Sequence, residues 1–318
     1  MTDKHAHHEN NQEKKDIYDV AIVGGGVAGF GAAIYAGRFM LKTIVFAELV
    51  GGTITLTDDV ENYPGFPKIS GFDLAMAIKQ HAENYNISLR DERVTDIVKQ
   101  GDLFLITSQT NTTLAKTVIF ATGTVWRKLN VPGEKEFANK GVHYCALCDG
   151  AFYKGKTLAV VGGSDSAAKE ALLLTQWAQK VYIVYRGDKI HPEPVNMARV
   201  EKNPKLEIIN NANILEIKGE KNVKSVILDK EYKGSREFPV DGVFVEIGHI
   251  ALSELAQKLG VALNKKGEII ITRDAKTNVP GVYAAGDVVD TVFKQAITGV
   301  AEGVLAAYSA YEHLDKEE

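Results

Sequence analysis

The sequence predicts an α/β protein made of two Rossmann-like, three-layer nucleotide-binding domains. Three observations carry this expectation. An apolar strand runs into a glycine-rich turn and then a small-residue helix at two places, around Gly24–Gly29 and around Gly162–Ala167. The chain has 318 residues, more than one ordinary hydrophobic core organises. Its 29 glycines are clustered in such turns, which marks ligand-binding loops rather than low complexity.

In chain order, Tyr18-Asp19-Val20-Ala21-Ile22-Val23 reads as a short buried strand. It leads into Gly24-Gly25-Gly26-Val27-Ala28-Gly29 and a helix over Phe30–Gly37. In this fingerprint Gly24 makes the tight turn, Gly26 lets the backbone approach a pyrophosphate, and Gly29 lets helix and strand pack closely. The phosphates sit on the helix N-terminus, where unpaired N–H groups and the dipole favour anions. A second strand, Thr43–Ala47, ends at Glu48, an acid placed to take ribose hydroxyls. An irregular stretch with Gly51-Gly52 and Val60-Glu61-Asn62-Tyr63-Pro64-Gly65-Phe66 follows, long enough to be functional. Asp73 is expected to cap a helix over Leu74–Tyr85. Strands are expected at Leu103–Thr107 and Leu114–Phe120, the second ending in the small-residue turn Ala121-Thr122-Gly123-Thr124. Val131-Pro132-Gly133-Glu134 reads as a linker.

The theme then repeats. A strand over Thr157–Val161 enters Gly162-Gly163-Ser164-Asp165-Ser166-Ala167 and a helix through Leu174. Ser164 stands where the middle glycine belongs, so a phosphate is approached less freely. The next strand, Val181–Val184, ends in Tyr185-Arg186-Gly187-Asp188-Lys189. An arginine after that strand, in place of an acid, suits a 2′-phosphate and favours NADPH over NADH. Ile214–Ile217 and Val223–Leu228 read as a hairpin, and Val240–Ile247 as a strand at a boundary. Val279-Pro280-Gly281-Val282-Tyr283-Ala284-Ala285-Gly286-Asp287 reads as a strand running into a small-residue turn with an acid, and Lys294-Gln295-Ala296 opens an apolar helix to about Tyr311.

The only two cysteines are Cys145 and Cys148, with Ala146 and Leu147 between them and Asp149 next. Inert core cysteines and a zinc site completed by His143 are the bland alternatives, but zinc ordinarily takes four ligands and no second cysteine pair exists. A redox pair fits the spacing better. A Cys-x-x-Cys that opens a helix has one thiol acidified by backbone N–H groups. Asp149 is a nearby proton donor for the leaving sulfur.

Composition sets limits. Net charge is −4, with a pI near 6.1, which gives no electrostatic case for nucleic acid. No apolar run reaches the roughly 18 residues of a membrane span. Residues 1–15 are polar, carry His5, His7 and His8, and lack the apolar centre of a signal peptide; they read as a disordered tail. The expected compartment is the cytoplasm, and no metal site is expected.

Together, Gly24–Gly29, Gly51-Gly52, Glu61-Asn62-Tyr63-Pro64-Gly65, Cys145-Ala146-Leu147-Cys148-Asp149-Gly150, Ala284-Ala285-Gly286-Asp287 and Lys294-Gln295-Ala296 resemble the low-molecular-weight thioredoxin reductases, flavoproteins of two Rossmann-like domains. The resemblance implies that one domain is inserted in the other. An FAD-binding domain would comprise residues 16–126 and 251–318, and an NAD(P)-binding domain carrying the cysteine pair would comprise residues 127–250. It implies FAD contacts at Gly24, Gly26, Ala28, Gly29, Glu48, Gly51, Gly52, Asn62, Gly123, Gly286, Asp287, Gln295 and Ala296. It implies NADP contacts at Gly162, Gly163, Ser164, Ser166, Ala167, Arg186 and Lys189. Cys148 would face the flavin, Cys145 would attack the partner's disulfide, and Asp149 would shuttle the proton. The implied activity is NADPH-dependent reduction of thioredoxin, or of a similar small redox protein, by a homodimer.

The chain departs from the family where relatives that use NADPH carry a glycine and a set of His and Arg residues; here Ser164, Tyr185, Gly187 and His191 stand at those positions and only Arg186 is kept. NADH or a non-nicotinamide donor, and another disulfide acceptor, are therefore the alternatives. A nucleotide sensor with regulatory cysteines is a further one.

Overall fold

The computed structural model describes residues 17–57 and 59–315. The tail expected over residues 1–15, with its three histidines, lies outside them. In chain order the elements are β1 (Ile17–Val23), α1 (Val27–Arg38), β2 (Thr43–Phe46), α2 (Gly71–Glu83), β3 (Ser88–Arg90), β4 (Val94–Gln100), β5 (Leu103–Ser108), β6 (Thr112–Phe120) and β7 (Thr124–Trp126). Next come β8 (Val142–His143), α3 (Ala146–Asp149), β9 (Thr157–Val161), α4 (Asp165–Leu174), β10 (Lys180–Val184), α5 (Pro194–Lys202), β11 (Leu206–Ile209), β12 (Ile214–Gly219), β13 (Val223–Tyr232) and β14 (Ser235–Pro239). The chain closes with β15 (Gly242–Val245), β16 (His249–Ala251), α6 (Glu254–Lys258), β17 (Val282–Ala284) and α7 (Ala296–Asp315).

Two compact units result. Unit 1 takes the chain before Thr53, Ala75–Gly123 and the chain after Leu252; unit 2 takes Thr53–Leu74 and Thr124–Leu252. The segment Thr53–Leu74 groups with unit 2 because its own residues bind there. Glu61 pairs with Arg199 at 2.8 Å, and the Leu56 carbonyl lies 3.9 Å from Cys145 Sγ.

Unit 1 is a sheet in the order β3-β2-β1-β6-β5-β4, with β17 also on β6. β1, β2, β3, β6 and β17 pair in parallel, whereas β4, β5 and β6 form an antiparallel meander. β6 serves three neighbours because it is long: β5 pairs with residues 112–115 and β17 with residues 118–120. The core gathers Val20, Ile22, Phe30, Ile34, Val45 and Ile119 with the alanines of α1 and α7. Small residues let those two helices nearly touch. A Cβ on Gly303 would stand 2.2 Å from the Ala28 carbonyl oxygen, and one on Gly31 would stand 3.1 Å from Val300.

Unit 2 is a parallel sheet in the order β11-β10-β9-β15-β8. Its strands alternate faces with period two. Leu158, Val160, Ile183 and Phe244 pack against α4, while Ala159, Val161, Val243 and Val245 pack against the antiparallel sheet β12-β13-β14. Helix, parallel sheet and antiparallel sheet are the three layers. The hairpin expected at Ile214–Leu228 is present and gains β14 as a third strand.

Three local expectations are corrected. α2 begins at Gly71, and Ser70, not Asp73, caps it: the Asp73 N–H donates to Ser70 Oγ at 3.0 Å, and that hydroxyl donates back to Asp73 at 2.7 Å. The supposed linker at Val131–Glu134 is anchored, since the buried Glu134 carboxylate accepts from the Leu129 and Asn130 N–H groups and the Tyr144 hydroxyl. The strand expected over Val240–Ile247 is confined to Gly242–Val245.

Candidate active site

In unit 1 the first fingerprint is a turn that only glycine tolerates. Gly24 has φ +120°, and a Cβ there would stand 2.1 Å from the Ala121 carbonyl oxygen. Gly26 then caps α1 with no side-chain bond, and the first turn of α1 holds no acid, which leaves the helix N-terminus open to an anion. Gly51 joins the turn, its N–H donating to the Gly25 carbonyl at 2.8 Å, and a Cβ on Gly52 would meet Gly26 Cα at 2.9 Å. From the far end of the chain Gly286, at φ +81°, brings its backbone to Ala28, where a Cβ would stand 2.8 Å from the alanine methyl. Gly24, Gly26, Ala28, Gly29, Gly51, Gly52 and Gly286 are thus one cradle. Gly123 borders open space, with nothing within 4 Å of where its Cβ would be. Glu48 is exposed just past β2. Asp287 follows Gly286, and Gln295 and Ala296 open α7. Such a cradle fits a dinucleotide. Asn62 is exposed in the segment that groups with unit 2.

Glu302, which the sequence left unmarked, and Lys294 hold the Asp287 turn. The Glu302 carboxylate accepts the Gly286 N–H at 2.8 Å and the Thr291 hydroxyl. Lys294 Nζ donates to the carbonyls of Asp287 (2.8 Å) and Val289 and pairs with Glu268 at 3.1 Å. Glu302 lies on a helix with the period of an ordinary solvated face, so nothing in the sequence distinguishes it.

The second fingerprint, in unit 2, is built differently. Ser164 caps α4 without a side-chain bond. Asp165 lies in the first turn, its carboxylate already committed to the Glu193 N–H (2.9 Å) and the Asn196 amide (2.8 Å) at the start of α5. The Tyr185 ring lies against Gly163 and Gly187; a Cβ on either would come within 2.4 Å or 2.6 Å of it. His191 packs edge-on to the same ring, 5.6 Å between centroids. Arg186 and Lys189 are exposed beyond the strand, and Ser166 and Ala167 lie in the first turn of α4.

Cys145 and Cys148 are disulfide-bonded, with Cα atoms 5.4 Å apart. Cys145, extended at φ −152°, caps the single turn α3, and its Sγ accepts the Cys148 N–H at 3.1 Å. Cys145 is buried and Cys148 is exposed. The Ala146 N–H, between them, donates to Glu170 of α4. Burial pushes the Glu170 carboxyl up to about 7. Glu246, at the end of β15, is pushed up to about 9, first by burial and then by charge on Glu170. Asp149 Oδ2 lies 2.9 Å from Nδ1 of the buried His143. No cluster of His, Cys, Asp and Glu suited to a metal exists among the described residues.

The pattern characteristic of the pyridine nucleotide-disulphide oxidoreductases matches residues 18–303, nearly the whole of both units. The chain belongs to that family. Within it, the oxidoreductase is 38% identical over 306 residues to a thioredoxin reductase of Bacillus subtilis, covering 95% of this chain and 96% of that one. Its fold is similar to that of Lactococcus lactis thioredoxin reductase, with a TM-score of 0.90 and 37% identity over 94% of this chain and 99% of the other. It is similar too to that of T. acidophilum thioredoxin reductase, with a TM-score of 0.89 and 36% identity over 95% of this chain and 99% of the other. The oxidoreductase is a member of the low-molecular-weight thioredoxin reductases, the family its motifs resemble. No helix among its described residues is long and apolar enough to cross a membrane.

Proposed function

We propose that this oxidoreductase takes electrons from NADPH, passes them through FAD held on unit 1 to the Cys145–Cys148 pair, and delivers them to the disulfide of thioredoxin or a similar small redox protein. The observation that carries the reading is the closed Cys145–Cys148 disulfide in the unit that bears the second nucleotide fingerprint. A hydride and a thiol–disulfide exchange each move two electrons, and bound FAD supplies the chemistry that couples them. Gly24, Gly26, Ala28 and Gly29 would hold its pyrophosphate, Glu48 its ribose, and Gly51, Gly52, Asn62, Gly123, Gly286, Asp287, Gln295 and Ala296 the remainder. Gly162, Gly163, Ser164, Ser166 and Ala167 would receive NADPH, with Arg186 and Lys189 on its 2′-phosphate.

Cys148 accepts the electrons and Cys145 attacks the partner, through a mixed disulfide that Cys148 then resolves. Asp149 supplies the proton to the sulfur set free. The protein works as a homodimer in the cytoplasm.

One observation favours a second reading of the donor. Tyr185 and Gly187 flank Arg186, which leaves Arg186 and Lys189 as the cations at this strand end for a 2′-phosphate. If those two do not hold a 2′-phosphate, the donor is NADH or a non-nicotinamide reductant, and the flavin-to-dithiol half is unchanged. Anaerobic titration of the holoenzyme with NADPH, then NADH, then dithionite separates the two. NADPH is expected to bleach the flavin band at low concentration, followed by NADPH-dependent reduction of thioredoxin. Bleaching by dithionite alone would remove the nicotinamide step.

A further inference from the structure

His143 sits where nothing in the redox pattern asks for a histidine. It ends β8, two residues before Cys145, and is 5% exposed. Its ring stacks on the fully buried Phe244 at 5.2 Å between centroids. Both nitrogens are nevertheless aimed at polar groups. Nδ1 lies 2.9 Å from Asp149 Oδ2, out of line for a well-formed hydrogen bond, and has no other partner among the described residues. Nε2 lies 2.7 Å from the Tyr153 hydroxyl. Tyr153, in the 3-10 turn Gly150–Tyr153 after α3, is half-buried and packs edge-on against both His143 and Phe244. A buried ring nitrogen without a hydrogen bond is costly, and Nδ1 is so placed beside a carboxylate.

We propose that Asp149, His143 and Tyr153 form one proton path from the redox pair toward solvent, with His143 the positioning residue that orients Asp149 and restores its proton. The inference rests on the dithiol function proposed above. When the S–S bond breaks, the electron pair leaves on a cysteine sulfur as thiolate. The Asp149 carboxyl gives its proton to that sulfur. Asp149 then takes the Nδ1 proton of His143 as Nε2 takes the Tyr153 hydroxyl proton, and the tyrosine oxygen takes one from water, which leaves as hydroxide; the net change is one water proton moved to the sulfur. An imidazole is the side chain that passes a proton from one nitrogen to the other at neutral pH. The Tyr153 phenol is pushed up to about 12 by burial and by the charges of Asp149 and Asp241, so it relays a proton without standing ionised. The other charged groups facing this path are Lys156, paired with Asp241 at 3.1 Å, and Glu170 on the Ala146 N–H, with Glu246 behind it.

The test follows reduction of the Cys145–Cys148 disulfide in the holoenzyme by dithiothreitol, which is oxidised to its cyclic disulfide. The reaction is quenched by alkylation and read by mass between about pH 5.5 and pH 9 for wild type, D149N, H143F, Y153F and the pairs with D149N. H143F keeps the ring stack on Phe244, and Y153F loses only an oxygen. Each is expected to slow reduction roughly tenfold above about pH 7.5 and little below about pH 6, where solvent protons suffice, and neither is expected to slow D149N further. A pH profile unmoved by Y153F and H143F, or an effect additive with D149N, would overturn the path. A wild type that shows the expected profile yet fails to reduce thioredoxin keeps the path and removes the proposed acceptor.

Discussion

The Ala146 N–H, between the two cysteines, points into the carboxylate of Glu170, twenty-four residues on in α4. This ties the only turn of α3 to the helix behind it. Glu170→Ala leaves that N–H without its acceptor and is expected to cost about 1–3 kcal/mol, whereas Glu170→Gln keeps an acceptor and costs less. Both tryptophans, Trp126 and Trp177, lie in unit 2, so fluorescence-detected urea unfolding reads the right unit. Equal losses in the two variants would show that the bond to Ala146 contributes nothing.

Glu246 makes unit 2 sensitive to alkali. Its folded carboxyl, held at about 9 by burial and then by Glu170, keeps a proton that the unfolded chain releases near 4.5. The folded state therefore binds more protons across that window. The stability this contributes is complete below about pH 4.5 and is lost as pH rises through 9, with a slope of at most about 1.4 kcal/mol per pH unit. Glu246→Gln has no proton to lose and is expected to flatten the curve between pH 6 and 9. A wild-type stability that rises over that range would contradict the assignment.

The parts legible in the sequence are those whose determinants are local. The strand, glycine turn and helix at Gly24–Gly29 and again at Gly162–Ala167 are written in consecutive residues, as is the Cys145–Asp149 run, and all fold as their spacing implies. Glu170, Glu246, Glu302 and His143 were not legible as a set. Each gains its meaning from a partner far away in sequence or on another element, and a lone glutamate on a helix looks like any solvated face. Asp73 failed as a cap because Ser70, three residues earlier, is the better acceptor for the first turn. The short strands β3 and β8 lie below the length at which period-two alternation is recognisable.

Gly303 tests the coupling of α7 to the first fingerprint. A Cβ at this position would stand 2.2 Å from the carbonyl oxygen of Ala28, a backbone atom in the turn of α1 that cannot move alone. Gly303→Ala is expected to destabilise by about 1–3 kcal/mol, with a melting temperature lower by about 2–4 °C per kcal/mol. It is also expected to lower the flavin content of the purified protein, because Ala28 and Gly29 belong to the cradle. Full flavin occupancy in a variant of lowered melting temperature would mean that the close approach serves packing alone.

Arg186 is the remaining cation of the NADPH pattern on its strand end, and it is exposed and without an ion pair among the described residues. Charged hydrogen bonds to a phosphate are worth about 1.5–3 kcal/mol, and about 1.4 kcal/mol is tenfold. Arg186→Ala is therefore expected to raise the NADPH concentration needed for half-maximal flavin reduction at least roughly tenfold while leaving NADH nearly unchanged. Tyr185 supplies the matching control. Its ring lies against Gly163 and Gly187 and carries no charge, so Tyr185→Ala is expected to alter both nucleotides alike. If Arg186→Ala alters neither nucleotide, the 2′-phosphate does not lie at this strand end, and Lys189 is left as the cation to test.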